Sequence, residues 1–357
     1  DLYGAALLKQ LSPYLAGPCC GLGGPLLRAA GQQQLDDVLA YSAVGLTENL
    51  RHLPRFQQLW LRLKAWIRQC RPTAVILVDF QGLNLRIGAY ARRLGIPVFY
   101  FIAPQAWLWR SPGDLQRIAQ SCDLVLSVFL PEHHFYQSQG IASVFVGHPL
   151  LDLLPLLPAS SEHGQFLCWL PGSRPVEVQR LTPVLRALIQ LYEQHYPGQY
   201  THLMPVATPG LAPALTASFG DLPVTMVASD RRYWAMLRSE KVIGASGSAI
   251  LEAVLLERPT VALYRVSAVT YAIARRVFQH PYVTLPNLLL HRALVPEFLQ
   301  HFEPVSIFEQ VESLIPAVFQ RASAELRAQL QVTEPATQTA ALEIIRYIHN
   351  TGRSLPA

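Results

Sequence analysis

Charge is scarce in this chain. Asp, Glu, Lys and Arg together make up 15% of the residues, low for a freely soluble protein, against 51% hydrophobic. No apolar run reaches the roughly 18 residues that a spanning helix needs, and the expectation is a chain without a signal peptide ahead of the fold. Lys/Arg tracts and nucleic-acid motifs are also missing, so the formal charge of +5 and the pI near 9.0 point away from nucleic acid. They favour a phosphorylated ligand or an anionic membrane surface. Neither an Asp-x-Asp motif nor a His cluster appears, and the five cysteines (Cys19, Cys20, Cys70, Cys122, Cys168) are odd in number without metal-ligand spacing. Such cysteines fit thiols in a reducing compartment. The expectation is a cytoplasmic protein with no cofactor and no metal, able to touch a membrane.

What is present is length enough, at 357 residues, for two α/β domains with their own cores. The most informative stretch runs from Lys241 to Gln300. An apolar strand ending at Ile243 leads into a Gly/Ser turn (Gly244, Ala245, Ser246, Gly247, Ser248), then a helix that stops at Arg258-Pro259, then a strand from Thr260 to Val266. In such a βαβ unit the turn can seat a phosphate at the helix N-terminus, where amides and macrodipole favour negative charge. Glu252 follows Ser248 by one helical turn on the same face, and a carboxylate there can accept both hydroxyls of a ribose. Equally, the turn can be a plain cap and Glu252 a solvated first-turn acid.

The same pattern recurs upstream. Phe166 to Leu170 reads as a strand ending in Pro171-Gly172-Ser173-Arg174 before a helix from about Val176, and Arg174 either reaches a diphosphate or is merely solvated. Ala74 to Val78 is an unbroken apolar strand, followed by Asp79, a short loop with Gly82 and a helix from about Asn84 to Leu94. Ligands of open α/β sheets lie beyond the carboxyl ends of the strands, so Asp79 is a candidate base; its alternative role is to cap the helix. His148 competes by chemistry, although its position suits a structural hydrogen bond. Leu2 to Leu11, Val44 to Arg68 and Glu334 to Ile348 read as helices. In the second of these Leu46, Leu50, Leu53, Trp60, Leu63 and Ile67 form one stripe, while Leu59, Leu61 and Trp66 lie off it beside a basic edge. Gly21 to Gly24 is a Gly-rich loop or a simple turn, and Leu151 to Gly164 reads as a linker.

The wording of several segments resembles the lipid A disaccharide synthases. In the second half these are Ala245-Ser246-Gly247-Ser248-Ala249 with Leu251-Glu252, Tyr264-Arg265-Val266, the run from Pro281 to Leu289, and Val295-Pro296-Glu297-Phe298-Leu299-Gln300. In the first half they are the aromatic signature from Ala103 to Arg110, Cys122 to Leu126, Pro131-Glu132 with Phe135-Tyr136, and Val146 to Leu150. The resemblance implies an inverting, UDP-sugar-dependent glycosyltransferase of GT-B type, with two Rossmann-like domains facing a cleft. Residues 1–152 would bind the acceptor and meet the membrane, 165–332 would bind the donor, and 333–357 would cross back onto the first domain. The implied reaction joins a UDP-diacylglucosamine donor to an acylated sugar phosphate, with a second copy of the chain as a candidate partner.

On this resemblance Ser246, Gly247, Ser248, Glu252, Arg265, Asn287, Glu297 and Gln300 belong to the donor site, and Asp79 and Arg174 to catalysis. Trp107, Trp109, Asn84, Leu59 and Trp66 face acceptor or lipid, although both tryptophans could equally be core. It also tips the helix up to Arg68 toward a membrane-docking role. Two departures stand out. The family's first strand and Gly-Glu-x-Ser-Gly turn have no counterpart before Asp1, and its Asp-x-Pro-Asp-Phe-Asn is here Asp79-Phe80-Gln81-Gly82-Leu83-Asn84, with Gly82 in place of the second acid. They leave room for a different enzyme on the same scaffold, such as a UDP-GlcNAc epimerase, or for a catalytically silent sugar-nucleotide-binding homologue.

Overall fold

The computed structural model describes residues 1–37, 49–109, 112–155, 157, 165–278 and 280–351. Two compact units emerge, one of Asp1–Leu153 with the chain from Gln329 onward, the other Leu154–Ala328. The first opens with α1 (Leu2–Leu11), a two-stranded parallel sheet of β1 (Cys20–Gly23) and β2 (Gln33–Asp37), and between those strands α2 (Pro25–Ala29). Gly21 to Gly23 are thus strand rather than loop. The Asp1 carboxylate accepts the Gly24, Leu26 and Leu27 amides, which caps α2.

After α3 (Asn49–Cys70) comes a four-stranded parallel sheet in the order β3 (Val75–Val78), β4 (Val98–Phe101), β5 (Leu124–Ser127), β6 (Ser143–Phe145). Helix α4 (Gln81–Arg93) joins β3 to β4 and α5 (Leu130–Ser138) joins β5 to β6. Helix α4 therefore begins three residues before the sequence suggests, and Gly82 lies inside it. The core of this unit gathers Leu63, Ile67, Leu77, Ile87, Tyr100, Val125 and Tyr136.

The second unit is a six-stranded sheet in the order β12-β11-β10-β7-β8-β9, parallel throughout. Its strands are β7 (Phe166–Leu170), β8 (Thr201–Pro205), β9 (Val224–Val227), β10 (Lys241–Ala245), β11 (Thr260–Tyr264) and β12 (Glu297–Leu299). Read from β9, this is the doubly wound 3-2-1-4-5-6 order, whose direction of winding reverses between β7 and β10. Strand β7 shows why its apolar run is unbroken: Leu167 and Trp169 enter one core and Cys168 and Leu170 the other, as in a sheet covered on both faces. The helices that matter below are α6 (Pro175–His195), α7 (Arg232–Arg238), α8 (Ser248–Leu255), α9 (Leu285–Leu290) and α10 (Pro316–Leu330). Glycine is obligatory at Gly244, because a Cβ there would lie 2.3 Å from the Leu170 carbonyl oxygen. That residue belongs to β10, so the turn is one strand-end shorter than the sequence suggests.

The last helix, α11 (Ala336–Asn350), is capped by Asp152, whose carboxylate accepts the Ala336 and Thr337 amides at 3.0 and 2.9 Å and the Thr337 hydroxyl. Of the expected linker, Leu150–Leu153 is a helical turn, while 156 and 158–164 lie outside the described residues.

Candidate functional site

Because every strand of the six-stranded sheet runs the same way, all six carboxyl ends share one edge, and two βα turns flank its reversal point. After β7, Gly172 takes φ +112, and any Cβ would strike Glu177 at 2.7 Å. Glu177, third residue of α6, turns back to accept the Ser173 and Arg174 amides at 3.0 and 3.2 Å. Its other oxygen pairs with the Arg174 guanidinium at 3.2 Å, whose side chain is still 73% exposed. This turn satisfies itself. After β10, the chain passes Ser246 and Gly247 into α8 with no side-chain cap. Gly247 is extended at φ 169, a conformation open to any residue, and a Cβ there would meet nothing within 4 Å.

At the other end of α8 the carbonyls are well served. Leu255 accepts from Ser323 and Arg327 at 3.0 and 2.8 Å, and Leu256 from Arg258 at 2.9 Å. Cations there match the negative pole of the helix. At the positive pole of α8 the Ser246 amide donates to the Leu263 carbonyl at 2.9 Å, and no side chain caps the helix at Gly247.

Glu252 lies on α8 at 5% exposure, so it is not a solvated acid. Its Oε2 takes a hydrogen bond from Arg232 Nε at 3.1 Å, and Arg232 Nη2 also donates to the Tyr233 hydroxyl at 2.6 Å. Burial pushes the Glu252 carboxyl up, while Arg232 and then Tyr233 pull it back. Neither of these partners has a sequence signal, since the pairing spans 20 residues. Glu177, also missed, was readable as Glu at the third position after a Pro at the first.

Asn287 and Glu297 do not line an open site. Asn287 is 1% exposed; its amide nitrogen donates to the Val295 carbonyl and to Glu297, and its oxygen accepts the Leu294 and Val295 amides. Glu297 accepts in addition from the Val283 and Thr284 amides and the Thr284 hydroxyl. Their polar atoms are used in clasping β12 to the start of α9, which leaves Asn287 nothing for a ligand. Gln300 and Arg265, both half-buried, stay at the carboxyl edge. There Gln300 Oε1 accepts the Val266 amide, its carbonyl accepts Arg265 Nε at 3.0 Å, and the guanidinium rests 4.5 Å above the Phe302 ring.

In the first unit Asp79 is exposed at the carboxyl end of β3, and both it and Phe80 are left-handed, at φ 51 and 42. Such backbone costs of order 1–3 kcal/mol per residue and gathers at functional sites. Its carbonyl is pinned by Asn84 Nδ2 at 2.7 Å and the Tyr100 hydroxyl at 3.0 Å. Helix α4 has no side-chain cap, so the capping role for Asp79 does not hold. Asn84 spends its amide on the Asp79 and Val78 carbonyls; it shapes the elbow rather than facing acceptor or lipid. His148 is buried, its Nδ1 accepts the Leu150 amide, and burial lowers it to about 4, which keeps it neutral and structural.

Trp107 is interior at 7% exposure, tilted against Phe129, and does not present a face. The Trp109 side chain and Arg110 lie outside the described residues, as do Val44 to Glu48 and the side chains of Asn49 to Phe56, which include Leu46, Leu50 and Leu53. Along α3 the inward set is Leu59, Leu63 and Ile67, one side chain per turn. Leu59 is therefore core and not lipid-facing, and Trp60 and Trp66 are half-buried against the same cluster. Leu61 remains, 62% exposed. With Lys64, Arg68, Gln69 and Tyr90 it borders a shallow depression of about 500 Å³, where the Lys64 ammonium stands 5.3 Å above the Tyr90 ring.

Among the described residues no cluster of His, Cys, Asp or Glu could hold a metal, and no helix is long and apolar enough to cross a membrane. Residues 1–338 match the family model described as lipid-A-disaccharide synthetase. The lipid-A-disaccharide synthase of Anaeromyxobacter sp. (strain K) is 35% identical over 337 residues, covering 88% of this chain and 85% of its own. Among solved structures, the S. aureus MnaA–UDP co-structure superposes with a TM-score of 0.63 at 12% identity, covering 98% of this chain and 94% of that one. CalG4, the calicheamicin glycosyltransferase, gives 0.59 at 16%, with 97% and 94% covered. The fold is thus α/β of GT-B type.

Proposed function

The chain belongs to the lipid-A-disaccharide synthetase family, and from that premise we propose that it transfers 2,3-diacylglucosamine from its UDP derivative to 2,3-diacylglucosamine 1-phosphate, giving a β(1→6) disaccharide and UDP. The observation that carries this reading is the uncapped N-terminus of α8 at the sheet's reversal point, with Glu252 one turn along. The diphosphate sits on the Ser246 to Ser248 turn and the ribose diol on Glu252. Arg174, exposed on the adjacent turn, supplies a positive charge.

As the acceptor 6-hydroxyl attacks the anomeric carbon, its proton passes to Asp79 and the bond from that carbon to UDP breaks. Charge growing on the departing UDP is met by the helix N-terminus and Arg174. A positioned base contributes about 10² to 10⁴ in rate, and the strained elbow held by Asn84 and Tyr100 supports Asp79 in that role. Leu61, Lys64 and Arg68 support reversible contact with an anionic membrane at the cytoplasmic face, each cation adding about 1 kcal/mol near such a surface. Dimer formation with a second copy is part of the same reading.

The test is UDP release with acylated and non-acylated sugars, in wild type and Asp79→Asn. The expected result is turnover that needs acyl chains on both sugars and falls at least about 100-fold in Asp79→Asn with unchanged thermal stability. A variant within about threefold of wild type removes Asp79 as the base. The second reading, a silent nucleotide-binding homologue, is favoured by Gly82, whose position opens onto empty space where the family has an acid. UDP binding without turnover would establish it.

A further inference from the structure

The diol contact assigned to Glu252 raises a physical problem. A carboxylate at 5% exposure loses most of its hydration, and burial favours the neutral acid, which has less acceptor capacity for two ribose hydroxyls. The charged and titratable groups around it are few. Helix α7 offers Arg232 and Tyr233, which interact with it directly. Helix α9 contains no ionisable side chain. Lys241, at the opposite end of β10, is held by Glu312. Tyr264, at the end of β11, lies in the field of Glu177, Arg174 and Arg180, while Arg258 and Arg327 serve the carbonyls at the far end of α8.

Arg232 and Tyr233 make a closed arrangement with the carboxylate. The guanidinium donates through Nε to Glu252 Oε2 and through Nη2 to the Tyr233 oxygen, while its plane covers the Tyr233 ring at 4.3 Å. Because the Tyr233 oxygen accepts from Arg232, its own proton is left to give, and Tyr233 joins Arg232 in favouring the ionised acid. A carboxylate has about four acceptor positions, so with Arg232 on one, and even with the Tyr233 hydroxyl on another, two remain, the number a vicinal diol needs. Resting on the Glu252 reading above, we propose that Arg232, with Tyr233, is the positioning residue that holds the Glu252 carboxylate for a ribose diol while leaving it acceptor capacity to spare.

The experiment reads the diol alone, as the ratio of the Kd of 2′,3′-dideoxy-UDP to that of UDP, so that titration of the phosphates cancels. In wild type the ratio should be about 10 and constant from pH 6.5 to 8.5. Glu252→Gln should bring it to about 1 at every pH. In Arg232→Gln the main group that keeps the acid ionised is gone, so the ratio should be near 1 at pH 6.5 and climb toward the wild-type value as pH rises. Arg232→Lys should restore most of it, and Tyr233→Phe, which removes only one hydrogen bond, should show the same trend at smaller amplitude even if Arg232→Gln does not fold. A loss in Arg232→Gln that does not vary with pH, or a wild-type ratio throughout, overturns the positioning role while leaving the diol contact intact. A wild-type ratio of 1, unchanged in Glu252→Gln, removes the diol contact itself and the positioning role with it.

Discussion

Two turns leave neighbouring strands of one sheet and come to opposite arrangements. Strands β7 and β10 pair directly, with Leu170 beside Gly244, and a Cβ on Gly172 would lie 3.6 Å from that of Ala245. Yet the turn after β7 is filled by its own Glu177, whereas in the turn after β10 the Ser246 amide goes to the Leu263 carbonyl at 2.9 Å and no side chain caps the helix that follows. On the proposed reading, a phosphate seat is set less by glycine and serine, which both turns contain, than by the lack of an internal carboxylate. A turn closed by a carboxylate contributes stability, whereas one without it leaves its helix pole uncompensated.

The sharpest way to break the contrast is to close the open turn. Gly247→Asp fits the extended backbone and the empty space above it, and an N-cap aspartate should stabilise the protein by about 1 kcal/mol. It should also cost roughly 100-fold in UDP affinity, by occupying amides and repelling phosphate. Calorimetry and thermal melts run together decide it, since a melting-point gain with unchanged UDP binding would show that the turn is not the seat.

The Asn287–Glu297 clasp belongs with the closed turn. Asn287→Ala leaves buried partners unsatisfied and should lower stability by about 2 kcal/mol, yet UDP affinity measured well below the melting point should stay within threefold of wild type. A tenfold loss of affinity would return Asn287 to the donor site.

A third turn, after β5, is closed like the one after β7 but in the interior. Glu132, third residue of α5, accepts the Val128 amide with no exposed surface of consequence, and burial lifts it to about 8. An acid whose folded value is raised binds protons more tightly when folded, so its contribution is full below the ordinary carboxylate range and is lost as pH rises toward 8. Between pH 7 and 8 that slope should cost about 1 kcal/mol, and Glu132→Gln should flatten it in urea titrations at the two pH values. Identical slopes in both proteins would place the alkaline sensitivity elsewhere. The smallest effect is expected from Glu177→Gln, which keeps the cap but removes a charge beside the seat. UDP should tighten about twofold at low salt and not at high salt.

Much of this was legible in advance. Strands β4 and β7 and the turn-helix units at Ser246 and Ser173 follow from unbroken apolar runs ended by Gly, Ser and Pro. Leu59 was not, because the inward stripe on α3 takes Leu59 with Leu63 and Ile67, and a helix with apolar residues on several faces leaves the choice to the sheet beneath it. Asn287 and Glu297 match the family wording, yet wording carries no record of how many hydrogen bonds a side chain already makes. Arg232 reaches Glu252 only because α7 and α8 pack into the same core around Ala235, Met236 and Ala253. The left-handed pair at Asp79 and Phe80 has no glycine to announce it.

The cap that Asp152 places on α11 joins residues 184 apart, and the whole second unit is the loop between them. Closing a loop of that length costs only slowly growing entropy, but it imposes an order on synthesis. The first unit has all of its strands once Phe145 has been made, yet it receives α11 only after the whole inserted unit has been synthesised. Asp152 is the latch that registers the last helix when it arrives.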